Sequence, residues 1–231
     1  MLDQSQAAQA LSHVLWIAGS PCSGKSTISH TITSIYVFLD YHVDALARNH
    51  FARRITAGDA GAAAFLKMNM DQRWIQRSVE TLVQETLESW TRDFHLVIED
   101  LLALPKENII VAEGNFFPAC VAPYLSSPHQ ALWLVPTDAF CEQARRQKRA
   151  ALIKRQKRHG VYNEGSDSEK RLRNIIDRDC QLAHHVRQQA EERQLPIYEV
   201  DGSRSLEEMT ELVERHFDPY LIQYFSQHKP W

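Results

Sequence analysis

The chain has 231 residues, 44% of them hydrophobic, enough for one α/β domain with a sizeable core and an inserted lid. A formal net charge of −3 gives no overall reason for a nucleic-acid or anionic-membrane partner. No run of about 18 apolar residues occurs, so no membrane span is expected; the opening "MLDQSQAAQALSH" lacks a basic start and apolar centre, so no signal peptide is expected either.

In chain order, "HVLWIAG" (13–19) is short, apolar and partly β-branched, as suits a buried parallel strand. "GKSTISHTITSI" opens a helix, and "YVFLD" (36–40) reads as the second strand. "DQRWIQRSVETLVQETLESW" (71–90) carries Trp74, Ile75, Val79, Leu82, Val83, Leu87 and Trp90 at helical spacing. "DFHLVIEDLLAL" (93–104) reads as a separate helix stopped by Pro105. "NIIVAEG" (108–114) and "QALWLV" (130–135) are the third and fourth strands. A long basic helical stretch covers 138–160, and "HGVYNEGSDSEK" (159–170) reads as a flexible loop. "LPIYEVDG" (195–202) is the fifth strand, and "SLEE" from Ser205 is a capping box opening the last helix. Short apolar strands alternating with helices predict βαβ units and a parallel sheet. Cys22, Cys120, Cys141 and Cys180 are widely spaced, with no CxxC pair and no metal spacing. They read as reduced thiols of a cytoplasmic protein.

The stretch "GSPCSGKST" holds the most specific motif. Gly19, Gly24, Lys25 and Ser26 fit G-x-x-x-x-G-K-[ST] between a strand and a helix. Chance supplies that pattern in about one chain per hundred of this length, so the match carries weight. Glycines let the backbone curl and aim successive N–H groups at an anion, and the following helix adds its dipole. Gly19, Ser20, Pro21, Cys22, Ser23, Gly24, Lys25, Ser26 and Thr27 form the expected phosphate turn. Lys25 is the candidate for reaching the outer phosphates, and the Ser26 hydroxyl for ligating Mg²⁺. Cys22 reads as a small side chain tolerated in the turn, with a redox role as the alternative.

With this turn near the start, five strands and a basic stretch after the fourth, the chain resembles the small P-loop kinases. That group includes nucleoside, nucleotide, shikimate and gluconate kinases. In "YHVDALA", "IIVAEGNFFP", "LWLVPT" and "VDGSRSLEE", taken in order, it is also similar to bacterial P-loop kinases of unassigned substrate. The resemblance implies a single α/β P-loop NTPase domain over 1–231. That fold is a three-layer sandwich with a five-stranded parallel sheet of order 2-3-1-4-5 and helices on both faces. It also implies an acceptor-binding helical segment at about 45–105, a helical lid at about 138–180, and ATP with Mg²⁺. GTPase signals are missing: there is no N-K-x-D. The third strand ends in the single acid Glu113, unlike the acidic pair of motor ATPases.

In the resembling kinases an acid just past the second strand accepts the proton of the attacking hydroxyl. Here that position falls in "DYHVD". Asp44 is the first candidate and Asp40 the second, with His42 standing where shikimate-type kinases carry a first acid; Asp44 also reads as a helix N-cap. Glu113, expected beside the first strand, is the candidate for Mg²⁺ or substrate, with Ser26 the other metal candidate. Glu99 and Asp100 read as a solvated pair.

Residues 145–158 hold eight basic side chains and no acid. The resemblance points to lid arginines soon after the fourth strand: Arg146 and Arg149, with Arg178 as a further candidate. The same run reads equally as a solvated face. As a nucleic-acid site it lacks aromatic residues for base stacking. Arg48, Arg53 and Arg54 are candidates for an anionic group on the acceptor, or a solvated helix face. Phe116 and Phe117 read as walls of an acceptor pocket, or as core. In the resembling kinases the loop after the fifth strand lies against adenine, which here makes Gly202 and Ser203 the candidates. The expected activity is ATP-dependent transfer of a phosphoryl group to a small acceptor such as a nucleoside, sugar or sugar acid. The alternatives are a nucleotide-dependent switch and a polynucleotide kinase.

Overall fold

The computed structural model describes residues 4–159 and 167–227. Helix α1 (Gln4–Ala10) leads into strand β1 (Val14–Gly19) and α2 (Lys25–Tyr36). Strand β2 (Leu39–His42) is followed by α3 (Val43–Thr56), α4 (Ala60–Lys67), α5 (Met70–Trp74) and α6 (Val79–Ala103). Then come β3 (Ile110–Glu113), α7 (Pro118–Val121), β4 (Ala131–Pro136), α8 (Asp138–Arg158), α9 (Ser168–Glu192), β5 (Ile197–Val200) and α10 (Leu206–Gln227).

The five strands form one sheet of order β2-β3-β1-β4-β5, every neighbouring pair parallel. Strands β1 and β4 are buried at every position, the mark of strands covered on both faces. One face packs Trp16, Ala112 and Trp133 against Phe94, Val97 and Leu101 of α6 and Leu182 and Val186 of α9. The other packs Ile17, Val111 and Leu134 against Ile28 and Ile32 of α2 and Val213 and Phe217 of α10. Phe217 and Tyr220 of α10 therefore pack on this chain's own sheet, and Tyr220 Oη donates to Ser12 O over 2.5 Å. Among the described residues no helix is long and apolar enough to cross a membrane.

Two element boundaries differ from the sequence reading. The second strand lies further along than 36–40. Helix α2 runs through Tyr36, and Val37 caps it in the left-handed region (φ 57°), its N–H donating to Thr33 O. The strand then starts at Leu39, in register with Ile110, and its last residue, His42, pairs with Glu113. Between strands two and three, the stripe expected as one helix over 71–90 is cut and its second half extended. Ser78 accepts from the Thr81 N–H as N-cap, ending the α5 segment and starting α6. No Gly or Pro interrupts 79–103, so the two predicted helices fuse into one of 25 residues that stops at Pro105. The capping box at Ser205 forms as expected: Glu208 N–H donates to Ser205 Oγ and Ser205 N–H to Glu208 Oε2. The loop expected over 159–170 falls mainly on 160–166, outside the described residues; α9 already begins at Ser168.

Candidate active site

The turn after β1 carries two left-handed residues, Cys22 (φ 70°) and Gly24 (φ 80°), and Gly19 at φ 141°, a backbone that residues with a side chain rarely adopt. Gly19 is obligatory for a packing reason too: a Cβ there would sit 2.0 Å from Leu134 O on β4. At Gly24 a Cβ would meet nothing within 4 Å, so the space above it is open. Among the described residues, the N–H groups of 22–26 donate to no backbone carbonyl. The Ser20 and Ser23 hydroxyls are buried without a partner. A curled turn rich in unspent donors at the start of a helix is the arrangement that receives an anion.

Lys25 and Glu113 meet at the carboxyl ends of the strands. Glu113 closes β3 and pairs in register with both Ile17 and His42. Its Oε1 lies 3.7 Å from Lys25 Nζ, which also donates to Ser20 O over 3.3 Å. On the other side Glu113 Oε2 lies 2.9 Å from His42 Nδ1, off the hydrogen-bond line, so neither atom counts a hydrogen-bond partner. The Ser26 hydroxyl reaches the same carboxylate. Burial pushes the Glu113 carboxyl up and the Lys25 ammonium down from their ordinary values, while each partner's charge opposes the shift. The expected metal candidates Ser26 and Glu113 are thus adjacent, and a hydroxyl beside a carboxylate is a hard-oxygen set suited to Mg²⁺.

Asp44 sits in the first turn of α3, exposed, close enough to act electrostatically on both Lys25 and Glu113. Asp40 is engaged elsewhere, accepting from Ser29 Oγ on α2 over 3.2 Å. Beside Asp44 opens a cavity of about 610 Å³ whose lining includes Asp44, Phe51, Trp74, Asn115, Phe116 and Arg178. Asn115 Oδ1 there is buried without a hydrogen-bond partner. Phe116 and Phe117 are buried. Phe116 meets Trp16 and Phe94 edge-on and still forms part of the cavity wall. Phe117 belongs to the core between α6 and α9.

The acids on α6 are not a solvated pair. Asp100 accepts from Tyr41 Oη (3.0 Å), from Arg53 Nη1 (2.6 Å) and, at 2.8 Å, from His50 Nε2. Those hydrogen bonds hold its carboxyl low against its burial. Glu99 is the exposed member and takes the other Arg53 nitrogen. Arg54 is buried and tied to Asp59, Asp93 and Ser89, so Arg53 and Arg54 fasten α3 to α6. The sequence does not reveal this because the partners lie 35 to 47 residues away.

On α8 the structure separates the basic residues by face. Arg146 bonds Glu142 and Glu169, and Arg149 bonds Glu169; both guanidiniums join α8 to α9. Arg145 and Lys148 are the basic residues of α8 close enough to act electrostatically on Cys22 in the turn after β1. Arg145 Nε donates to Asp179 Oδ2 over 2.5 Å, and Arg178 donates to Asp179 Oδ1 over 2.6 Å. Asp179 is fully buried, and Arg178 stacks over Trp74 at 4.9 Å. The spacing Cys141, Arg145, Lys148 is one helical face, the signal that singles out Arg145.

After β5, Ser203 donates through both its N–H and its hydroxyl to Asp201, and Gly202 turns the chain at φ 86° against Phe140. Both are exposed. A scan of protein-family models and a search of curated proteins return no match to this chain.

Proposed function

We propose that the chain is an ATP-dependent phosphotransferase of the P-loop kind, acting on a hydroxyl of a small acceptor. One observation carries this reading: the donor-rich turn, Lys25, Ser26 and Glu113 converge at one end of the sheet, and Asp44 stands between them and the cavity. The backbone N–H groups of 22–26 and Lys25 would hold the phosphates, Ser26 and Glu113 the Mg²⁺, and Gly202 and Ser203 the base. The metal supplies charge neutralisation at the β- and γ-phosphates. Asp44 orients the acceptor hydroxyl and takes its proton as the oxygen attacks phosphorus. Asn115 offers an unspent acceptor to a second polar group of that molecule, while Phe51, Trp74 and Phe116 exclude water from one flank. A cavity of this volume suits a small molecule and not a polynucleotide end. On the α8 side Arg145 and Lys148 are the cationic groups for the transferring phosphoryl, while Arg146 and Arg149, one helical face away, are engaged by Glu169.

The test is ATP consumption against a panel of nucleosides, sugars and sugar acids. One or more acceptors should stimulate turnover, and Lys25→Ala should abolish it. A flat background across the panel favours the nucleotide-switch alternative, and stimulation by DNA or RNA favours the polynucleotide one.

A further inference from the structure

Three of the four cysteines, distant in sequence, gather behind the phosphate turn. Cys22 lies in the turn itself, Cys141 in the first turns of α8 and Cys180 on α9 beside Asp179. The sulfur atoms of Cys22 and Cys141 and a carboxylate oxygen of Asp179 all lie within 4.8 Å of one another. A metal fits poorly there. Asp179 already spends both oxygens on Arg145 and Arg178, and a second guanidinium-lined cation would meet positive charge. The same charge suits a thiolate. Cys22 is drawn down to about 7, first by the hydrogen bond from Cys141, then by Arg145 and Lys148, against its burial. Cys141, held between Cys22 and Cys180, is pushed up by both.

The geometry points to Cys22 and Cys141 as a peroxide-responsive pair that closes to a disulfide linking the phosphate turn to α8. Cys22 thiolate attacks one oxygen of hydrogen peroxide. The O–O bond breaks, hydroxide leaves and takes up a proton as water, and Cys22 becomes a sulfenic acid. Cys141 sulfur then attacks that sulfur, the S–O bond breaks, and the departing hydroxyl leaves as water with the Cys141 proton. Each cysteine is oxidised by one electron and the peroxide is reduced by two. Closing the gap to about 2.05 Å moves the turn towards α8. The consequence for nucleotide binding rests on the phosphotransferase reading: the Cys22 backbone N–H is one of the donors assigned to phosphate.

The test is peptide mapping of the full chain after hydrogen peroxide, thiol blocking and non-reducing digestion. A Cys22–Cys141 linked peptide is expected in the wild type and in Cys180→Ser, reversed by dithiothreitol, with Cys120 unlinked. In Cys141→Ser a sulfenic acid at Cys22 should be trapped by dimedone. A Cys141–Cys180 link, or peroxide-treated wild type with Cys22 still free, overturns the proposal. The wild-type map decides even if a variant fails to fold. A fluorescent ATP analogue is then titrated into both forms, with at least tenfold weaker binding expected for the disulfide form. Unchanged binding overturns the gating consequence. Failure of the reduced protein to bind the analogue at all counts against the phosphotransferase reading, and the mapped disulfide stands apart from it.

Discussion

Lys25 Nζ and Glu113 Oε1 face each other at 3.7 Å with both side chains almost wholly out of solvent. Each is a charge that burial disfavours, and each is the other's main compensation. Removing one partner strands the other. Lys25→Met should therefore destabilise the protein by about 3 kcal/mol in denaturant unfolding near pH 8, besides abolishing turnover. The loss should shrink towards pH 5. The Glu113 carboxyl is already raised in the folded state, so folding favours its protonated form; stability is full below the unfolded value and falls as pH rises through the folded one. Glu113→Gln added to Lys25→Met should recover most of the stability and none of the activity. Equal destabilisation at both pH values would refute the pairing.

The two glycines of the turn make a contrast that ordinary helix propensity does not. Gly19→Ala drives a Cβ to 2.0 Å from Leu134 O in the middle of the sheet, where neither strand can yield. A loss of about 4 kcal/mol or more, or failure to accumulate folded protein, is expected. Gly24→Ala meets open space and strains only its left-handed backbone, at about 1–2 kcal/mol. It should fold, and under the proposed function it should bind ATP more weakly because the methyl enters the space that reading assigns to phosphate. Thermal unfolding of the two variants side by side checks the ordering.

Patterns of period and punctuation made the five strands readable, the family resemblance implied their order, and one strand boundary moved where a residue broke its usual habit. Val37 is the instance, a β-branched residue in the left-handed region that lengthens α2 and delays β2. At the site, the turn was legible because its residues are contiguous and its chemistry needs a fixed spacing. Asp100, Arg145 and the thiol cluster were not. The meaning of Asp100 and Arg145 lies in partners 34 to 59 residues away, and that of Cys22 and Cys141 in a pairing across a still longer stretch of chain; a charge seen without its partner reads as solvated.

His216 gives the fold a pH limit. It is buried on α10, with Nε2–H donating to Ala131 O over 2.9 Å and Nδ1 accepting from Tyr198 Oη over 3.2 Å. That is the hydrogen-bonding pattern of a neutral ring. Burial brings its pKa down to about 4, and nearby His129 adds to the fall. The folded state thus binds fewer protons than the unfolded one between about 4 and 6.5. The stabilisation is complete above pH 6.5 and is lost as pH falls towards 4, by at most about 3.5 kcal/mol at about 1.4 kcal/mol per unit. His216→Gln should flatten that slope in urea unfolding measured from pH 4 to 7. An unchanged slope would assign it to other groups.

Arginine position on α8 separates two roles for its basic residues. Arg149 reaches Glu169 on a partly open surface, and an ion pair of that kind adds little to stability. Arg145 instead shares the wholly buried Asp179 with Arg178, and its removal leaves a buried carboxylate with half its donors. Arg145→Ala should lower the melting temperature by several degrees, in line with about 2–3 kcal/mol for a broken buried pair, whereas Arg149→Ala should leave it unchanged. Turnover divides differently. If the phosphoryl group is steadied from the Cys141–Arg145–Lys148 face, Lys148→Ala should cut kcat about tenfold or more with the fold intact, and Arg149→Ala should not. A drop in kcat for Arg149→Ala alone, at unaltered melting temperature, would mean that the lid closes further than the structure has it and brings the Glu169-bound face over the phosphates. Measuring kcat and melting temperature for the three single variants under one acceptor decides between the faces.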